Sequence, residues 1–109
     1  MVFGDEEMID IDKITGIGGY SEKEWKDGDE INWLYLVDKN EKAFLVVRPK
    51  TIEVRCEKNL SQKLREEYEA VMESRYFGRG GIEIVMCGQL DDAEVEDLVR
   101  LSYNLTITE

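Results

Sequence analysis

Histidine is absent from the chain, and there is one proline, Pro49, and only two cysteines, Cys56 and Cys87. Without histidine the commonest general acid or base is missing. No serine or cysteine stands beside a base, and neither a metal-ligand cluster of cysteine or histidine nor a phosphate-loop motif is present. Catalysis, resident metals and cofactors are therefore not expected. Acidic pairs such as Asp91 with Asp92 carry no catalytic signal in a chain with 25 acids. The cysteines lie 31 positions apart without a CxxC, each in a predicted strand, which suggests two buried, reduced thiols. No apolar run approaches the ~18 residues that a membrane span needs, and no basic segment leads into one. The simplest location is the cytoplasm of a cell or of a host cell.

Bases are also scarce, 14 against 25 acids, for a net charge of −11 over 109 residues. Residues 1–30 hold ten acids and three bases, residues 31–59 four and six, residues 60–80 four and four, and residues 81–109 seven and one. The negative charge thus sits at the two ends. If those ends meet in space their fields add, attracting basic partners and repelling phosphates.

What is present reads as one α+β domain. Ile82, Ile84 and Met86 alternate with Glu83, Val85 and Cys87 as a strand does, and Gly88 with Gln89 turns the chain. A helix follows, with Asp91 as N-cap, Glu94 at N3, Leu90 and Val95 as a hydrophobic staple, and Val95, Leu98, Val99 and Ser102 as its inner stripe. Asn104 is its expected C-cap. Ile31–Val37, Lys42–Val47 and Thr51–Cys56 predict an antiparallel meander, joined by a turn at Asp38–Glu41 and another at Arg48-Pro49-Lys50. The first two of these strands are apolar on both faces, Trp33 and Tyr35 opposite Leu34 and Leu36, which predicts a lid from the N-terminal segment or a contact surface.

Asn59–Ser74 predicts a second helix, capped by Asn59 and striped by Leu60, Leu64, Tyr68, Val71 and Met72. Residues 1–30 predict a short acidic helix ended by Gly16, Gly18 and Gly19, which lack the spacing of a dinucleotide fingerprint, then a loop from Ser21 to Glu30 anchored by Trp25. Arg75 to Gly81 is the one loop where bases, aromatics and glycines coincide. It could contact an anion or nucleic acid through Arg75, Arg79 and the rings of Tyr76 and Phe77. Arg48, Lys50, Arg55 and Lys58 are the further basic candidates.

Lys42-Ala43-Phe44, Cys56-Glu57-Lys58, the Tyr76 loop, the Gly88 turn with Leu90-Asp91-Asp92, and Ser102-Tyr103-Asn104-Leu105 occur in an order that resembles the MmcQ/YjbR family over Glu30 to Leu105. The resemblance implies a CyaY-like two-layer sandwich of order α-β-β-β-α-β-α with helices on one face of an antiparallel sheet. It also implies DNA binding, by fold-level analogy. The chain departs from the family in having Arg79-Gly80-Gly81, without tryptophan, where the family carries a basic, tryptophan-containing segment.

Charge points to a different partner. In such a sandwich the terminal helices would set Asp5, Glu6, Glu7, Asp10 and Asp12 beside Asp92, Glu94, Glu96 and Asp97, so that carboxylates imitate a run of phosphates. The sequence therefore predicts a non-enzymatic module for a basic protein surface, an inhibitor of a nucleic-acid-binding protein of the anti-CRISPR or anti-restriction kind. The alternative is direct nucleic-acid binding through the Arg75–Arg79 loop and the basic middle of the chain.

Overall fold

The computed structural model describes residues 11–12 and 19–108. Among these, strands β1 (Tyr20–Asp27), β2 (Glu30–Val37), β3 (Ala43–Val47) and β4 (Thr51–Arg55) are followed by helix α1 (Lys58–Glu67). Strands β5 (Val71–Ser74) and β6 (Gly78–Val85) and helix α2 (Asp92–Ile107) complete them. The six strands form one antiparallel sheet of order β1-β2-β3-β4-β6-β5. Both helices pack on one side of it, giving the two-layer α+β sandwich.

Register explains which side. One row across the sheet reads Glu22, Tyr35, Leu45, Val54, Ile82, Glu73, apolar in the middle and acidic at both edges. That row, with Ile52 and Ile84, meets Val95, Leu98 and Val99 of α2 in the core. Each such side chain taken out of water contributes roughly 1.5–3 kcal/mol. The adjacent row, Lys23, Leu34, Val46, Glu53, Glu83, Met72, belongs to the opposite side.

Helix α2 begins as its sequence dictates. Asp91 accepts the Glu94 amide at 2.8 Å and Glu94 accepts the Asp91 amide at 3.2 Å, a complete capping box. Ser102, fully buried, lets the helix approach the sheet and pins it there. Its hydroxyl donates to the Phe44 carbonyl at 2.6 Å and accepts the Arg55 amide at 2.8 Å. Phe44 and Arg55 stand opposite each other one step beyond the last β3–β4 pair, so a side chain closes the ladder where the backbone stops.

Several expectations are corrected. Ser21–Glu30 is not a loop but mostly β1, an edge strand whose exposed, polar side chains leave no apolar alternation to read. Gly28, at φ 65°, makes the two-residue turn into β2. The helix expected over 59–74 starts at Lys58 without an Asn59 cap and ends at Glu67, where Tyr68 turns extended. Val71 and Met72, which fit the helical stripe, pair instead with Ile84 and Glu83, because β4 covers one edge of β6 and leaves the other free for a second neighbour. Gly78–Gly81 is strand, not loop, so the connection shrinks to Arg75–Phe77. Helix α2 runs past Asn104 to Ile107, held by Thr106, whose hydroxyl donates to the Ser102 carbonyl at 2.8 Å. Cys87 is exposed beyond the end of β6, whereas Cys56 is buried, and both thiols are free. Burial pushes the Cys56 thiol up to about 11, which leaves it protonated and inert at neutral pH. The N-terminal acidic helix and the lid lie mostly outside the described residues; Ile11 and Asp12 are helical, and Ile11 joins the core.

Candidate functional site

The sheet face opposite the helices carries a charge network rather than open polar surface. Glu53 and Glu83 are direct cross-strand partners, 0 % and 2 % exposed, and two like charges so placed repel unless each has its own cation. Arg48, 3 % exposed, donates from Nε to Glu53 and from Nη1 to Glu30 at 3.2 Å, and lies 3.6 Å from Asp27. Glu53 also accepts the Ser74 hydroxyl at 2.6 Å and the Tyr76 amide at 2.8 Å. Arg75 grips Glu83 with two parallel bonds, 2.9 and 2.7 Å, and Thr51 adds a third at 2.8 Å. Burial alone would raise the Glu83 carboxyl. The Arg75 and Thr51 hydrogen bonds and the nearby guanidinium charges outweigh it and hold the group below the usual glutamate range.

Aromatic rings close over this network. The Arg48 guanidinium lies 5.0 Å from the Trp25 ring centre, and Trp25 meets Tyr76 edge-on at 5.6 Å. Trp25 is in β1 at one edge of the sheet and Tyr76 follows β5 at the other, so the sheet curls until its edges touch. Tyr76 in turn packs on Phe77, and Arg55 lies over the Phe77 ring at 5.2 Å. Gly81 permits this, since a Cβ there would sit 2.7 Å from the Phe77 Cβ. Asn32, the cross-strand partner of Trp25, is wholly buried here, and neither its amide nitrogen nor its oxygen has a hydrogen-bond partner among the described residues.

The expected anion contacts therefore separate. Arg48 and Arg75 are committed to Glu53 and Glu83, and Tyr76 and Phe77 pack on neighbouring rings, although Tyr76 stays 42 % exposed. Arg55 donates from Nε to the Ala43 carbonyl at 2.9 Å. Lys50 is exposed at the β3–β4 turn, beside Met86, about 17 Å along β4 from Arg55 at five residues of extended chain.

Lys58 and Arg79 are brought together, with a partner that sequence reasoning missed. They line a groove of about 350 Å³ with Ser61, Arg65 and Glu73, between α1 and the β5–β6 hairpin. Lys58, Ser61 and Arg65 follow i, i+3, i+7 spacing, one face of α1. Glu73 shares the helix-facing row with Ile82. Among the described residues, none of the three cations is held in a salt bridge. The i, i+3, i+7 pattern was visible in the sequence; the approach of Arg79 from another element was not.

The acidic set is divided as well. Asp5, Glu6, Glu7 and Asp10 lie outside the described residues. Asp12 accepts the Tyr20 hydroxyl at 2.9 Å, and Tyr20 leads through Tyr35 and Phe44 to Tyr103 of α2. Tyr103 stands nine residues beyond Glu94, about 14 Å along the helix. Glu94 is occupied by its cap and by the Tyr68 hydroxyl at 3.1 Å, and Glu96 and Asp97 each pair with Arg100 at 2.9 Å. Asp92 is exposed in the first turn. No family model, curated protein or solved structure matches the chain.

Proposed function

We propose that the chain is a non-enzymatic binding module that holds a phosphate-bearing ligand of the nucleic-acid kind in the groove between α1 and the β5–β6 hairpin. One observation carries this reading: Lys58, Arg65 and Arg79 converge on a ligand-sized groove, without salt-bridge partners among the described residues, in a chain that ties Arg48, Arg75 and Arg100 to carboxylates. Ser61 supplies a hydroxyl at the groove, and the Glu73 carboxylate would accept from a sugar hydroxyl or a base amino group. The phosphate-mimicking acidic surface has less support, because Glu96 and Asp97 both pair with Arg100.

Net charge limits the ligand's size. A long polyanion would bring most of its phosphates into the field of eleven excess acids, whereas a nucleotide or short single strand meets chiefly the local cations. Fluorescence anisotropy with a short single-stranded oligonucleotide at low salt tests this, with a mononucleotide as competitor to separate the two sources of phosphate. Three cations predict a log–log salt slope of about −2 for a single strand. Arg65→Ala and Arg79→Ala should each weaken binding by about tenfold to a hundredfold, from the ~1.5–3 kcal/mol of a charged hydrogen bond. Binding that both variants retain, or its absence at low salt, refutes the assignment.

A further inference from the structure

A second surface lies on the other side of α1. Between α1 and α2 a small hollow of about 80 Å³ is lined by Arg55, Cys56, Glu57 and Leu60 and by Leu98, Leu101 and Leu105 of α2. Leu98, Leu101 and Leu105 follow i, i+3, i+7 spacing, and Leu101 and Leu105 remain 47 % and 41 % exposed. A water-facing helix position ordinarily holds a polar residue, so two large aliphatic side chains one turn apart beside a hollow mark a contact strip.

The charge around the strip indicates what covers it. Glu57 lines the hollow, and Glu94, which also holds its cap and the Tyr68 hydroxyl, stands one turn before Leu98. Asp97, which shares Arg100 with Glu96, stands one turn before Leu101 with its side chain 72 % exposed, so Glu57, Glu94, Glu96 and Asp97 outnumber Arg55 and Arg100. The cations nearby are engaged: Arg55 by the Ala43 carbonyl and the Phe77 ring, Arg100 by Glu96 and Asp97. Residues 81–109 carry seven acids and one base. We infer that this strip docks a basic amphipathic helix of a partner protein, with an aliphatic side chain in the hollow, its neighbours a turn away against Leu101 and Leu105, and lysines or arginines over Glu57, Glu94 and Asp97. This site is independent of the phosphate groove, and either can fail without the other.

Amide chemical-shift mapping of the full chain with a lysine–leucine amphipathic peptide tests the inference, with a peptide of the same leucines carrying glutamate for lysine as control. The shifts should centre on Leu60, Leu98, Leu101 and Leu105, weaken with salt, and be absent with the control. Leu101→Asp decides between groove and charge. It adds an acid, so attraction by charge alone would persist or tighten, whereas docking in the strip should weaken at least about tenfold, some 1.4 kcal/mol. Leu101→Ala gives the same test with no new charge if the aspartate variant melts early. Undiminished binding by both variants, equal binding of the control peptide, shifts centred elsewhere, or self-association of the chain through these leucines overturns the proposal.

Discussion

Replacing Ser102 by alanine removes one oxygen and strands two backbone groups. In the native fold the hydroxyl takes the Arg55 amide and gives to the Phe44 carbonyl, at a place where the residue is wholly buried and the β3–β4 ladder has already ended. Each buried group left without a partner costs about 1–3 kcal/mol, so the pair should cost about 2–6 kcal/mol. Unfolding entropy of about 2.1 cal/mol/K per residue makes 1 kcal/mol worth about 4 °C in a chain of this length. Thermal and urea unfolding should thus report a Tm lower by about 8–24 °C with an unchanged m value. Hydrogen exchange supplies the local readout: the Arg55 amide, protected in the parent, should exchange much faster relative to the Val54 amide in the variant. A Tm within about 4 °C of the parent, with Arg55 still protected, would mean that β3 and β4 close the gap by pairing directly, and the pinning role of Ser102 would be refuted.

Two further outcomes follow from the network on the opposite face. Asn32→Leu removes two unsatisfied polar atoms from a buried position at similar shape and should raise Tm by about 4 °C or more; a lower Tm in a melt would show that the amide is bonded in solution. Glu83 titrates below the usual glutamate range when folded, so its stabilising contribution is complete above the unfolded value of about 4.3 and is lost as pH falls through the lower folded value. Glu83→Gln should therefore flatten the acid limb of a stability–pH curve below about pH 4, and an unchanged limb would discount the Arg75 pair.

The parts of the fold that sequence made legible are those where several local signals agree. At α2 the cap, the reciprocal glutamate, the staple and the apolar stripe all mark one start, and the helix begins there. The two edge strands were hidden for opposite reasons. β1 is polar on both faces, so it has no period to detect, while Val71 and Met72 of β5 satisfied a helical period but were claimed by the free edge of β6. Glu53 and Arg55 alternate with Ile52 and Val54 as a water-facing set should, yet Glu53 is wholly enclosed because Arg48, Trp25 and Tyr76 close over that face from three distant points of the chain. The groove shows the same boundary. Lys58, Ser61 and Arg65 lie on one readable helix face, and only the tertiary fold adds Arg79 and Glu73.

The contact between Trp25 and Tyr76 joins residues 51 positions apart, while the β1–β2 hairpin that carries Trp25 needs only a two-residue turn. Folding rates fall as contacts span longer stretches of chain, so the hairpin can assemble early and its clasp onto the far edge must wait for β5 and β6 to arrive. With Trp33 as the one other indole, the emission of Trp25 becomes a built-in clock for that last closure, visible in stopped-flow refolding as a phase that lags behind the formation of secondary structure.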